Sequence, residues 1–161
     1  MAESGEGDEV KKLKLYLDNC CYNRPFDEPT NQIMILEIDA KLYIQEEIKN
    51  SIYDLCWSFI LDFENEENPF EDIKESVKIW KDIATEYISP DESIRSAANH
   101  LKNTYGFGAK DSLHISCAIY SGCDYLITTD KKMIKKGLQL NNIKIINPIK
   151  FISLLEEEND K

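Results

Sequence analysis

The stretch from Ala109 to Met133, AKDSLHISCAIYSGCDYLITTDKKM, places the strongest constraint on how this chain folds. An acid, Asp111, opens a helical pattern whose apolar face runs through Leu113, Ala118 and Ile119. The pattern turns at Gly122 and enters a short apolar strand, DYLITT, that stops at a second acid, Asp130. One tight connection therefore holds an acid at a helix start close to an acid at a strand end. Carboxylates held together need a cation, and oxygen-only ligands of this kind suit Mg²⁺ or Mn²⁺.

The same grammar runs through the rest of the chain. LKLYLD (13–18) is an apolar strand ending in Asp18, and NRPFDEP (23–29) is a loop punctuated by two prolines. A helix is expected from Thr30 to Asn50, capped by Thr30 or Asn31, with apolar residues over a broad face. YDLCWSFI (53–60) reads as a second strand and LDFENEENPFED (61–72) as an acid-rich irregular segment. The spacing of Ile73, Val77, Trp80 and Ala84 predicts a helix over 72–84, and Pro90-Asp91 starts another that Gly106 ends. A helix over 110–121, a strand over 124–129, a short lysine-rich helix, a strand over 143–147 and a helix opened by Pro148 complete the order.

Short apolar strands separated by helices indicate an α/β protein with a mainly parallel sheet. Ligands of such sheets bind beyond the carboxyl ends of the strands, where Asp18 and Asp130 both fall. At 161 residues one domain is expected, spanning 12–155 between a disordered tail (1–11) and an acidic tail (156–161). The formal charge of −11 argues at first against a polyanionic partner, but both tails are acid-rich, and Lys131, Lys132, Lys135 and Lys136 cluster beside Asp130. That run is either a track for a phosphate backbone or a solvated helix face. The five cysteines form no C-x-x-C pair and no signal peptide precedes them, so reduced thiols in a cytoplasm are expected. No apolar run is long enough for a membrane span.

Four segments together resemble the PIN domain: YLDNCCYNRPFD (16–27), KDSLHIS (110–116), LITTD (126–130) and IINPIKFI (145–152). They are most similar to a prokaryotic, toxin-like subgroup with this LDNCCYNRPFD opening. The resemblance implies a three-layer α/β/α sandwich whose acids bind Mg²⁺ or Mn²⁺ and cleave RNA. It further implies an antitoxin protein as partner and a homodimer joined through apolar helix surface.

On that resemblance Asp18 is the first-strand acid, Asp111 the acid of the D-x-x-H helix and Asp130 the T-T-D acid. The fourth acid maps to Glu64, in a segment crowded by Asp62, Glu66 and Glu67, with Glu37 on the long helix a further candidate. Thr128, Thr129 and Asn19 are read as residues that orient the ligands, and Arg24, Lys131 and Lys132 as contacts to RNA. Arg24 has a second reading, pinning its loop to an acid. His114 is read as a satisfied, partly buried histidine, and His100 carries no signal. Each acid also has an ordinary reading, as a helix cap or as a first-turn acid complementing the helix dipole. The competing functions are a catalytically inactive PIN-like domain that binds RNA or protein, and a phosphoacceptor domain with a phosphorylated strand-end aspartate.

Overall fold

The computed structural model describes residues 11–22 and 31–159. Among them run five strands: β1 (Lys14–Leu17), β2 (Asp54–Ser58), β3 (Glu86–Ile88), β4 (Tyr125–Ile127) and β5 (Lys144–Ile146). The helices are α1 (Gln32–Lys49), α2 (Phe59–Glu66), α3 (Glu71–Ile83), α4 (Glu92–Tyr105), α5 (Ala109–Tyr120), α6 (Lys131–Gly137) and α7 (Pro148–Asn159). All strand pairs are parallel, in the order β3-β2-β1-β4-β5. Helices flank the sheet, giving the expected α/β/α sandwich. The strands are short and almost wholly apolar because a parallel sheet is covered on both faces.

Strand alternation divides the core in two. Leu15, Leu17, Leu55, Trp57 and Tyr125 share one face, where Tyr125 packs edge-on against Phe151 of α7 and Trp57 meets Tyr22. Tyr16, Cys56, Ser58 and Leu126 share the other, and there the Tyr16 hydroxyl reaches His114 of α5. Helices α4 and α5 pack on each other, as do α1 and α7. Leu15, Tyr16, Leu55 and Leu126 are fully buried. Each large apolar side chain removed from water in this way contributes about 1.5–3 kcal/mol.

The chain leaves β1 toward β2 and β3, then returns to place β4 on the other side of β1. The order thus reverses between β1 and β4, and a crevice opens at their carboxyl ends. Register fixes what lies there. Leu17 pairs with Ile127, so the next residues, Asp18 and Thr128, leave the sheet side by side, and the Asp18 amide donates to the Ile127 carbonyl at 3.0 Å.

Three elements differ from the expectation. The second strand stops at Ser58, because the Ser58 hydroxyl accepts from the Leu61 amide and starts α2 there. Residues 59–66, expected to continue the strand and then become irregular, are therefore helical, with Ile60, Leu61 and Asn65 buried. Strand β3 was not foreseen; three residues at a sheet edge carry almost no periodic signal. Residues 156–159 continue α7. The cap of α1 is Asn31, whose side chain accepts from the Met34 amide. The loop 23–29, Arg24 and Thr30 lie outside the described residues. All five cysteines are free thiols.

Helix α4 ends at Gly106 in the left-handed region, φ +79°, and this turn aims α5 at the crevice. A Cβ there would meet only the Lys136 ammonium, at 4.0 Å, so substitution is resisted by the backbone and not by crowding. Gly106→Ala is expected to cost about 1 kcal/mol. Thermal unfolding should register it as a fall of about 2–4 °C.

Candidate metal centre

Four elements deliver acids to the crevice. Asp18 follows β1 and is held from two sides: the Asn19 amide donates to Oδ1 at 2.8 Å and the Thr128 hydroxyl to Oδ2 at 2.7 Å. Glu64 reaches in from α2, and its Oε1 lies 2.8 Å from His114 Nε2. His114 Nε2 is also 3.9 Å from Asp18 Oδ1. Ligand atoms of Asp18, Glu64 and His114 all lie within 4.8 Å of one another. Asp111 occupies the first turn of α5, half-buried, and its carboxylate has no hydrogen-bond partner among the described residues. Asp130 is exposed and caps α6, accepting from the Lys132 and Met133 amides through Oδ1 at 3.0 and 3.1 Å.

The electrostatics identify a shared negative field. Burial raises the Asp111 carboxyl above the ordinary aspartate value of 3.8, and Asp18, Asp130 and Glu64 raise it further while His114 opposes them. His114 is 1 % exposed, and that burial pushes its imidazole down. The hydrogen bond to Glu64 and the charges of Asp18, Glu64 and Asp111 outweigh burial, leaving its pKa above 6.5. Its other nitrogen, Nδ1, lies 2.6 Å from the Tyr16 hydroxyl, itself 2.6 Å from Ser58 Oγ. With a carboxylate at Nε2, a neutral imidazole must keep its proton there and accept from Tyr16 at Nδ1.

The other acids of the crowded segment go elsewhere. Asp62 accepts from Trp57 Nε1 at 2.8 Å, the Tyr87 hydroxyl at 2.6 Å and Lys81 at 3.1 Å. Partial burial raises its carboxyl, and these three donors bring it below 3.8 nonetheless. Glu66 pairs with Lys74 and Lys78, and Glu67 with Lys110. Glu37 accepts from Asn147 at 2.7 Å, at the end of β5. Of the acids weighed for the fourth position, Glu64 is the one grouped with Asp18.

The threonines divide their work. Thr128 donates to Asp18, while its oxygen accepts from the Asp130 amide at 3.1 Å. The Thr129 hydroxyl turns to Cys20 Sγ at 3.4 Å. Asn19 acts through its amide; its side-chain oxygen has no partner among the described residues. Lys131 and Lys132 are exposed in the first turn of α6. His114 is the residue that sequence reasoning underrated. It is satisfied, as expected, but buried more deeply than expected, and Nε2 faces the acids. The signal was its spacing: three residues after Asp111 on a helix, it shares that acid's face.

Two carboxylates and an imidazole nitrogen in mutual reach, beside a carboxyl whose proton affinity is raised by burial and by its acidic neighbours, form a donor set that a divalent cation fits. Of the four expected acids, Asp18 and Glu64 stand in that group, whereas Asp111 and Asp130 are outside it and are linked to it by charge. His114 Nε2 either joins the carboxylates or keeps Glu64 aimed.

A PIN domain family model matches residues 66–137, which carry Asp111, His114 and Asp130. No curated protein matches the chain. Among solved structures, the fold is similar to VapBC2 from Rickettsia felis, solved bound to a DNA fragment from the promoter of that system. The TM-score is 0.57 at 15 % identity, over 84 % of this chain and 98 % of that one. It is also similar to FitAcB from Neisseria gonorrhoeae, with TM-score 0.55 and 14 % identity over 83 % and 97 % of the two chains. At these identities the likeness establishes the fold.

The raised His114 pKa carries a sign. The protonated imidazole is the form favoured by the fold, so its stabilisation is complete below pH 6.5 and fades as pH rises through the folded value. Asp111 shares that direction, its contribution fading as pH rises above 3.8 through its own raised value. In chelator, the melting temperature should fall as pH climbs from 6.5 through the folded value of His114. His114→Gln, which keeps a donor for Glu64 but cannot titrate, should flatten that slope. An unchanged slope would assign it to other groups.

Proposed function

We propose that this chain is a metal-dependent ribonuclease of the PIN type, hydrolysing RNA phosphodiester bonds as the toxin of a toxin–antitoxin pair. The observation that carries the reading is the convergence of Asp18, Glu64 and His114 within 4.8 Å at the carboxyl ends of parallel strands. The family match over residues 66–137 and the fold likeness support it. A divalent cation bound there supplies Lewis acidity toward a phosphoryl oxygen and charge for the leaving oxygen.

The chain's own residues have separate tasks. Asp18, Glu64, Asp111 and Asp130 hold the cation, Mg²⁺ or Mn²⁺, and Thr128 fixes the orientation of Asp18 through its 2.7 Å hydrogen bond. His114 keeps Glu64 aimed inward and holds a proton at Nε2 until a cation competes for the same carboxylate. Lys131 and Lys132 sit at the start of a helix, the end where the dipole disfavours cations, and a phosphate backbone would offset that. Arg24 is assigned the same task. Exposed Ile33, Leu36, Leu42 and Tyr43 on α1 offer apolar surface for a second copy or for the antitoxin.

A non-cutting PIN-like binder is the competing reading. It gains from the His114–Glu64 contact at 2.8 Å, since a protonated imidazole gives the acids a positive partner of their own. Melting curves with Mn²⁺ separate the readings in part, because a ligand that binds only the folded protein raises the melting temperature. Cleavage separates them fully.

The deciding experiment is cleavage of end-labelled RNA with Mn²⁺ and with chelator. Asp18→Asn, Glu64→Gln, Asp111→Asn and Asp130→Asn should each abolish or sharply reduce cleavage while the protein stays folded. Full activity in any one removes that residue from the metal site. Thr128→Val should lose roughly 10- to 100-fold in metal affinity. Hydrolysis by water leaves a 5′-phosphate and a 3′-hydroxyl; a 2′,3′-cyclic phosphate would show attack by the RNA's own hydroxyl and defeat the proposed chemistry.

A further inference from the structure

Next to the acids, one aromatic ring faces solvent without an evident structural task. Phe63 immediately precedes Glu64 in α2 and is 52 % exposed, whereas Glu64 turns inward to His114. Consecutive helical side chains diverge by roughly 100°, so a single turn aims the acid at the site and the ring at its rim. Across from the ring stands Lys110, which immediately precedes Asp111 in α5; its Nζ lies 5.4 Å from the ring centroid. Lys110 also contacts Glu67 at 3.1 Å, both groups about half exposed, a pair that water and salt readily exchange. Of the large exposed apolar side chains among the described residues, Phe63 alone neighbours one of the four site acids in sequence. Tyr87, another exposed aromatic, has its hydroxyl tied to Asp62.

We infer that Phe63 and Lys110 form a subsite for one nucleotide of an unpaired strand beside the scissile phosphate. The ring stacks on the base and the ammonium pairs with a flanking phosphate. The inference rests on the ribonuclease reading and adds where the strand lies and which side chains meet its base and phosphate. A paired base has its faces covered by neighbours, so the ring can engage only a strand that is single at that point. Every base presents a π-face, so the subsite tolerates any sequence and selects for strandedness.

The test is binding, with chelator present so that no turnover intervenes. The probes are a short fluorescein-labelled oligoadenylate and an abasic ribose-phosphate strand of equal length and charge, followed by fluorescence anisotropy. Wild type should prefer the base-bearing strand by roughly 5- to 100-fold. Phe63→Ala should bring that ratio close to one, and Phe63→Trp should keep it and quench a 2-aminopurine placed in the strand. Lys110→Ala should weaken both strands alike and flatten the dependence on salt. Because Phe63 is exposed, an unchanged melting temperature should accompany its loss. A ratio retained in Phe63→Ala, or quenching absent in Phe63→Trp, overturns the inference. Equal binding of the two strands by wild type also overturns it but leaves the nuclease reading standing. Failure of wild type to bind either strand also overturns the inference, and cleavage with Mn²⁺ then decides the nuclease reading separately.

Discussion

The Tyr16 hydroxyl, buried in the centre of the sheet, ties the core to the acids through His114. Burial holds the Tyr16 hydroxyl well above its ordinary pKa, so it stays a neutral donor at any working pH. With His114 neutral, Tyr16 donates to Nδ1 and Ser58 donates to Tyr16. With His114 protonated, Nδ1 donates to Tyr16, which turns its proton to Ser58. Both states leave every member of the chain partnered, which a buried polar network requires. The imidazole can therefore gain or lose a proton beside Glu64 without stranding a polar group in the core.

A second dependence follows from strand register. Leu17 opposite Ile127 makes Asp18 and Thr128 neighbours, and a slip of one residue would turn each side chain to the opposite face. The acid of β1 is thus oriented by the strand that carries Asp130, and the two sides of the crevice are one mechanical unit. Burial of Asp111 and, after it, repulsion from Asp18, Asp130 and Glu64 oppose this assembly, and together they raise the proton affinity of Asp111. The apolar strands beneath, with Leu15, Leu55 and Leu126 fully buried, supply the stabilisation that holds the acids in place.

Much of this was legible in the chain before any coordinates. Asp18 and Asp130 end apolar runs, and a parallel sheet puts such ends on one edge, so their common location follows from pattern alone. The boundary at Ser58 was not legible, because a serine serves equally as a strand residue or as a helix cap until the next turn is seen to be buried. That ambiguity left Asp62, Glu64 and Glu66 equivalent by residue pattern, and only the family resemblance favoured Glu64. Only the helix phase separates them, sending Asp62 to Tyr87 and Lys81, and Glu64 to His114. Strand β3 escaped notice for a different reason: EYI is too short for alternation to register. The role of His114 was hidden by its burial, since a buried histidine with a hydroxyl partner looks complete until the second nitrogen is located.

A formal charge of −11 and a polyanionic substrate are compatible if sign is judged locally. Net charge governs solubility and long-range repulsion, and salt screens it beyond about 10 Å. Within that distance the groups that matter are few. A divalent cation would offset half of the charge of the four carboxylates. Lys131 and Lys132 flank it at Asp130, and Lys110 flanks it at Asp111. Glu66 and Asp62, which would oppose a phosphate, are already neutralised by Lys74, Lys78 and Lys81. On the proposed reading, the lysines receive the substrate and the cation lowers the repulsion that the acids alone would exert, so it adjusts affinity as well as chemistry.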